Sequence, residues 1–92
     1  MSWKIEFERQ AQRAFDKLDK TSKTRIAKFI DERLIPSKDP RELGKPLTGT
    51  DYRGVWRFRV GDYRLLTRIE DRIVTIIVLK VAHRSDVYRE RR

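Results

Sequence analysis

Gly61-Asp62 lies between two stretches in which apolar and polar residues alternate, residues 55–60 and 63–69. A two-residue connection with glycine between such runs is the signature of an antiparallel hairpin. Alternation sends Trp56, Phe58 and Val60 to one face of the first strand and Val55, Arg57 and Arg59 to the other. On the second strand Arg64 and Arg68 share a parity with Leu66, and the turn carries Arg64 across toward Arg59 or Arg57. The hairpin therefore needs an apolar cover for Trp56 and Phe58 and an explanation for the arginines.

The cover lies upstream. Residues 3–7 alternate, with Trp3, Ile5 and Phe7 opposed to Lys4 and Glu6, which predicts a first strand. From Glu8 the period changes: Ala11, Ala14, Phe15 and Leu18, then Ile26, Phe29, Ile30 and Leu34, fall at helical spacing. Two amphipathic helices follow, the second with Thr21 or Ser22 as its N-cap. Pro36 ends them. Residues 36–54 hold three prolines and three of the four glycines, which predicts an ordered loop with one helical turn at residues 40–43. After a turn at Glu70-Asp71, residues 72–81 form the last strand, and IVTIIVLKV is apolar on both parities, as a central strand covered on both faces would be.

The order β-α-α-β-β-β predicts an α+β fold: one small domain over residues 1–92, with a helical hairpin packed on one face of a mostly antiparallel four-stranded sheet. The arginines keep the other face, and a short basic tail follows the last strand. A chain of 92 residues builds one modest core, so any site belongs to the sheet or its rim.

Lys and Arg number 23 against 14 Asp and Glu, a formal net charge of +9 that favours a polyanionic partner: RNA, DNA, an acidic membrane face or an acidic protein segment. The absence of cysteine excludes disulfides, Cys-ligated zinc and thiol catalysis, and a single histidine, His83, leaves little for a metal. No cofactor or metal is expected. The longest apolar run, residues 73–79, contains Thr75 and is too short for a membrane span, so a soluble, cytoplasmic protein without a membrane partner is expected.

Like charges facing each other across a sheet are unfavourable, and the arginine face has acids only at Asp62 and Glu70. An anionic ligand would complete it. The planar guanidinium donates two hydrogen bonds at once and stays charged, so several arginines on a rigid sheet make a preset phosphate clamp. His83, Arg84 and Tyr88, in HRSDVY after the last strand, fall at the rim of this face. Alone, a histidine such as His83 is more often a surface or hydrogen-bonded structural group than a proton carrier, and Tyr88 alone is more often packing or a stacking platform. Together they suit an unstacked RNA strand, with arginines on its phosphate and the tyrosine against a base or at the 2′-hydroxyl. Asp31-Glu32 and Glu70-Asp71 are adjacent pairs whose side chains diverge, and no Ser-His-Asp set or glycine-rich phosphate loop is present.

The stretch DPRELGKPLTGTDYRGVWRFRVGDYRLLTR, with VLKVAHRSDVY after it, closely resembles the RelE/ParE superfamily of bacterial type II toxins, and within it the RelE-type ribosome-dependent mRNA endoribonucleases. The likeness spans nearly the whole chain. It implies a toxin that enters the A site of the 70S ribosome and cuts the mRNA there without a metal. The 2′-hydroxyl attacks the adjacent phosphate, leaving a cyclic phosphate and a 5′-hydroxyl. It also implies a cognate antitoxin that holds the toxin inactive in a hetero-oligomer. By resemblance, Arg57 and Arg59 fall where the best-known members have two catalytic lysines. Arg64 falls on an arginine that holds the scissile phosphate, Arg84 on a further catalytic arginine, and Tyr88 on a tyrosine near the C-terminus. Arginine is no general base at neutral pH, so the first proton goes to Tyr88 or His83. ParE-type relatives offer an alternative, poisoning DNA gyrase with the same fold and without nuclease activity.

Overall fold

The computed structural model describes residues 2–87, except for the Thr50 side chain. Strand β1 (Lys4–Phe7) leads into helices α1 (Arg9–Asp16) and α2 (Lys20–Phe29), then β2 (Lys45–Pro46), β3 (Val55–Val60), β4 (Tyr63–Glu70) and β5 (Thr75–His83). The sheet runs β1-β5-β4-β3-β2, with β1 parallel to β5 and every other pair antiparallel. The predicted α+β arrangement holds, but the sheet has five strands rather than four. The extra one, β2, is a two-residue edge strand from the proline-rich loop, pairing Lys45 with Arg57 and Pro46 with Trp56. A proline that cannot donate to a ladder is tolerated at such an edge, and so short a strand leaves no periodicity to read.

The helix start also differs from expectation. Asp19, not Thr21 or Ser22, is the N-cap of α2: its backbone is extended and its carboxylate accepts the Ser22 N–H at 3.1 Å and the Ser22 hydroxyl at 2.7 Å. A carboxylate accepts two donors at once, whereas a hydroxyl at 21 or 22 is already inside the helix. At its other end α2 widens into a π-helical turn, Ile30–Leu34, closed by the Ile35 N–H on the Ile30 carbonyl at 2.9 Å. The wider turn buries both Ile30 and Leu34. The helical turn expected at residues 40–43 is present as a 3-10 turn, Pro40–Leu43.

Gly61, with φ of 60°, occupies the first position of the β3–β4 turn, where glycine carries no steric cost. β5 begins later than expected. A 3-10 turn, Asp71–Ile73, precedes it, and Val74 sits in the left-handed region at φ 49°, ψ 49°, a conformation a β-branched residue resists. It is held there because its carbonyl accepts the Lys4 N–H at 2.9 Å and its side chain packs on the core.

β5 carries a bulge. Lys80 faces Leu66 and Val78 faces Thr67, leaving Leu79 without a counterpart. The extra residue reverses parity: Ile76, Val78 and Val81 enter the main core, while Leu79 and Ala82 turn to the opposite face. This bulge is part of why IVTIIVLKV reads as apolar on both parities.

The main core joins Trp3, Ala11, Ile26 and Leu34 to Phe58, Leu65, Ile76 and Val78, so the helices cover the face that alternation assigned to Phe58. The opposite face is not left to arginine alone. Val55, Leu66 and Val87 are buried there in a second cluster, with Leu47, Tyr52, Leu79 and Ala82 against it. Loop and C-terminal residues supply this cover, and their patterns are too short to be read in isolation.

Between β2 and β3 the backbones nearly touch. A Cβ on Gly44 would lie 2.5 Å from the Arg57 carbonyl oxygen and 2.8 Å from the Phe58 ring. Neither backbone nor buried ring yields cheaply, so Gly44→Ala is expected to cost about 1–3 kcal/mol of stability, read in urea unfolding.

Arg41 ties the loop to the β4–β5 turn. It donates to Asp71 through both terminal nitrogens at 3.2 and 2.6 Å, to Asp39 at 3.2 Å, and lies 5.9 Å from the Trp56 ring centroid. Hydrogen bonds from Arg41 hold the Asp71 carboxyl below the usual aspartate range. A carboxyl depressed in the folded state stabilises the fold above its unfolded pKa and loses that contribution as pH falls through the folded value. Asp71→Asn is therefore expected to shallow the acid loss of stability below roughly pH 4, as thermal melts across that range will read.

Candidate functional site

The β3–β4 register sets Arg59 directly opposite Arg64 and Arg57 opposite Leu66. Side chains so opposed lie about 4.5–5.5 Å apart at Cβ, so Arg57, Arg59 and Arg64 form one group on the face away from the helices. Arg68, opposite Val55, lies at the far end of the hairpin. Arg57 and Arg64 are half-buried, and Arg59 is exposed.

Arg64 is the centre of this group. Its Nη1 donates to the Gly61 carbonyl at 3.0 Å and the Tyr63 carbonyl at 2.9 Å, which bends the side chain back over the turn. Burial lowers its hold on its proton, and the charges of Arg59, Arg57 and Arg84 lower it further, with Asp62 alone opposing them. Three cations thus converge on a fourth, and an anion seated among them would relieve that repulsion. Arg57 adds a second uncompensated feature: its Nε is buried without a hydrogen-bond partner. A buried donor left unmade costs about 1–3 kcal/mol.

The end of β5 folds against the hairpin turn. The Arg84 N–H donates to the Asp62 carbonyl at 2.7 Å, and Arg84 Nε lies 3.8 Å from the Asp62 carboxylate. His83 pairs in register with Tyr63, their rings edge to face at 5.5 Å. Its Nδ1 accepts the Ser85 N–H at 3.2 Å and lies 2.8 Å from the Ser85 hydroxyl. A backbone N–H can only donate, so the neutral ring carries its hydrogen on Nε2 and has a donor on its free nitrogen.

Tyr88 lies outside the described residues. The residue before it is firmly held: Val87 is 4 % exposed in the second cluster, and its carbonyl accepts Lys80 Nζ at 2.9 Å. Lys80 and Val87 were not among the residues singled out from sequence. The one available signal was a lysine inside an otherwise apolar strand. The structure therefore brings Arg57, Arg59, Arg64 and Arg84 into one electrostatic group and sets His83 on the same strand end.

Among the described residues no three His, Cys, Asp or Glu side chains assemble as a metal-holding group, and no helix is long and apolar enough to cross a membrane.

A family described as "ParE toxin of type II toxin-antitoxin system, parDE" matches residues 5–88. The chain belongs to this toxin family, within the RelE/ParE superfamily. Among its relatives, Toxin RelG of Mycobacterium tuberculosis is 36 % identical over 89 residues, covering 97 % of this chain and 99 % of RelG. The toxin-antitoxin complex RelBE2 of the same organism contains a chain with a TM-score of 0.79 and 32 % identity, covering 90 % of this toxin and 99 % of that chain. The isolated RelE toxin of E. coli has a TM-score of 0.71 at 26 % identity, covering 97 % of this toxin and 94 % of that chain. The RelE/ParE resemblance seen in the sequence is thereby confirmed, and the protein is a type II toxin.

Proposed function

We propose that this toxin is a ribosome-dependent endoribonuclease that cleaves mRNA in the A site of the 70S ribosome. The observation that carries this reading is the convergence of Arg57, Arg59 and Arg84 on Arg64, with Asp62 alone offsetting them. Attack of the 2′-oxygen forms a bond to the adjacent phosphorus and breaks the bond to the 5′-oxygen. The phosphorane between them gains negative charge, and preset guanidinium donors stabilise it more than the ground state. The 2′-hydroxyl proton must leave and the 5′-oxygen must gain one. His83, with its hydrogen on Nε2, is suited to supply the proton to the 5′-oxygen. Tyr88 is then the acceptor of the first proton, the role the sequence left open between it and His83.

A second reading has its own support, since the matching family is described as the ParE toxin of parDE. On that reading the arginine face is a contact surface for DNA gyrase. Under either reading a cognate antitoxin holds the toxin in a cytoplasmic hetero-oligomer, and the likeness to a chain of the RelBE2 toxin-antitoxin complex supports the antitoxin partner. Expression of wild type beside Arg64→Ala and Tyr88→Ala, scored for growth and message integrity together, separates the two. Cut messages with wild type and intact ones with both variants support cleavage; arrested growth with intact messages supports gyrase.

A further inference from the structure

Counted along β5 by the strand period of two, Lys80 shares a parity with Ile76 and Val78, both fully buried in the main core. An unbroken strand would send its ammonium under the helices, where a lysine without a partner is costly. The bulge at Leu79 prevents this. It sets Lys80 opposite Leu66, a member of the second cluster, and residues opposed in register share a face. One row of the ladder then reads Lys45, Arg57, Leu66, Lys80, so Lys80 stands on the arginine face.

From there its Nζ donates to the Val87 carbonyl at 2.9 Å. Val87 needs no lysine to be buried, because its side chain packs against Val55 and Leu66. What apolar contact leaves open is rotation of the main chain about that anchor. A charged donor on the carbonyl closes it, since such hydrogen bonds are shorter and stronger than neutral ones. The peptide that follows is planar, so the Val87 Cα, its carbonyl oxygen and the nitrogen of residue 88 share one plane. The cluster holds the first of these atoms and Lys80 the second, which fixes the plane.

We propose that Lys80 is a positioning residue: turned out of the core by the bulge, it fixes the peptide plane from which Tyr88 departs. The effect on cleavage rests on the nuclease reading, whereas the anchor itself does not. Lys80 acts through Tyr88 and not on the reacting atoms. Displacing a reacting group by about 1 Å costs up to about 10²-fold in rate, so loss of the anchor is felt in the chemical step rather than in binding.

Lys80→Met keeps the apolar stem and removes the donor, and Lys80→Arg restores a charged donor. On programmed ribosomes Lys80→Met is expected to slow single-turnover cleavage about ten-fold at saturating toxin, with the half-saturating concentration within about two-fold of wild type, and Lys80→Arg to recover most of the rate. In a Tyr88→Phe background the same Lys80→Met change is expected to slow cleavage less than about two-fold, because the group it positions is gone. A similar loss in both backgrounds, or a loss confined to the half-saturating concentration, overturns the positioning role. Amide hydrogen exchange of the free proteins reads the anchor without any substrate. The Asp86 N–H, which donates to the His83 carbonyl at 2.8 Å, is expected to exchange about ten-fold faster in Lys80→Met, at a melting temperature within a few degrees of wild type. Unchanged exchange overturns the anchor whatever the cleavage shows, and faster exchange throughout the sheet assigns Lys80 to the fold instead. Faster exchange at Asp86 together with a wild type that cuts no message keeps the anchor and removes the nuclease reading alone.

Discussion

Arg64→Ala is expected to slow single-turnover cleavage of A-site mRNA by about 10²–10³-fold, the usual loss when one preset donor to a developing oxyanion is removed. Arg64 is the position at which the fields of Arg59, Arg57 and Arg84 meet, so its loss removes the centre of the array rather than its edge. Arg64→Lys keeps a charge but not the planar two-pronged donor, and is expected to fall between. The hairpin should survive. The two carbonyl contacts of Arg64 at the Gly61–Tyr63 turn are lost, but so is repulsion from three neighbouring cations. Melting temperature is therefore expected to move by only a few degrees, roughly what 1 kcal/mol produces in a chain of this size. A large drop in melting temperature would assign Arg64 to the fold instead.

The opposite pattern is expected one residue-face away. Phe58 is fully buried on the strand that carries Arg57 and Arg59, its ring 6.0 Å from that of Phe29. Removing a buried phenylalanine to alanine costs about 3–5 kcal/mol, a large share of the ~5–15 kcal/mol that holds small domains together. Phe58→Ala should unfold at much lower denaturant, and its cleavage and its folded fraction should fall together. Comparison with Arg64→Ala thus separates the two faces of β3: one residue set holds the fold, the other holds the charge. Cleavage that persists in a Phe58→Ala protein of unchanged stability would contradict this division.

Alternation made β3, its turn and the grouping of Arg57, Arg59 and Arg64 legible, because one face of the hairpin is buried and a register slip would expose Phe58. The helical spacing of Ile26, Ile30 and Leu34 was legible for the same reason. What escaped was structure set by single residues or by distant partners. Lys45–Pro46 pairs with β3 without any periodicity of its own, and the bulge at Leu79 reverses parity within an unbroken apolar run. The Asp19 cap hid behind two hydroxyl residues that fit the usual cap chemistry. In the site, Arg84 and His83 were legible as residues after a strand, but their tie to Asp62 and Ser85 depends on how the chain turns there. Lys80 was read as part of a strand, and only its reach to the Val87 carbonyl shows its part in holding the segment that leads to Tyr88.

The most direct test of the nuclease account is to place purified toxin on 70S ribosomes programmed with a defined message and to map both new RNA ends. The account predicts a cut inside the A-site codon, with a cyclic phosphate on the upstream fragment and a 5′-hydroxyl on the downstream one, and the same cut slowed about 10²–10³-fold with Arg64→Ala at equal concentration. An intact message with folded wild-type protein, together with inhibited supercoiling by purified DNA gyrase, would contradict it.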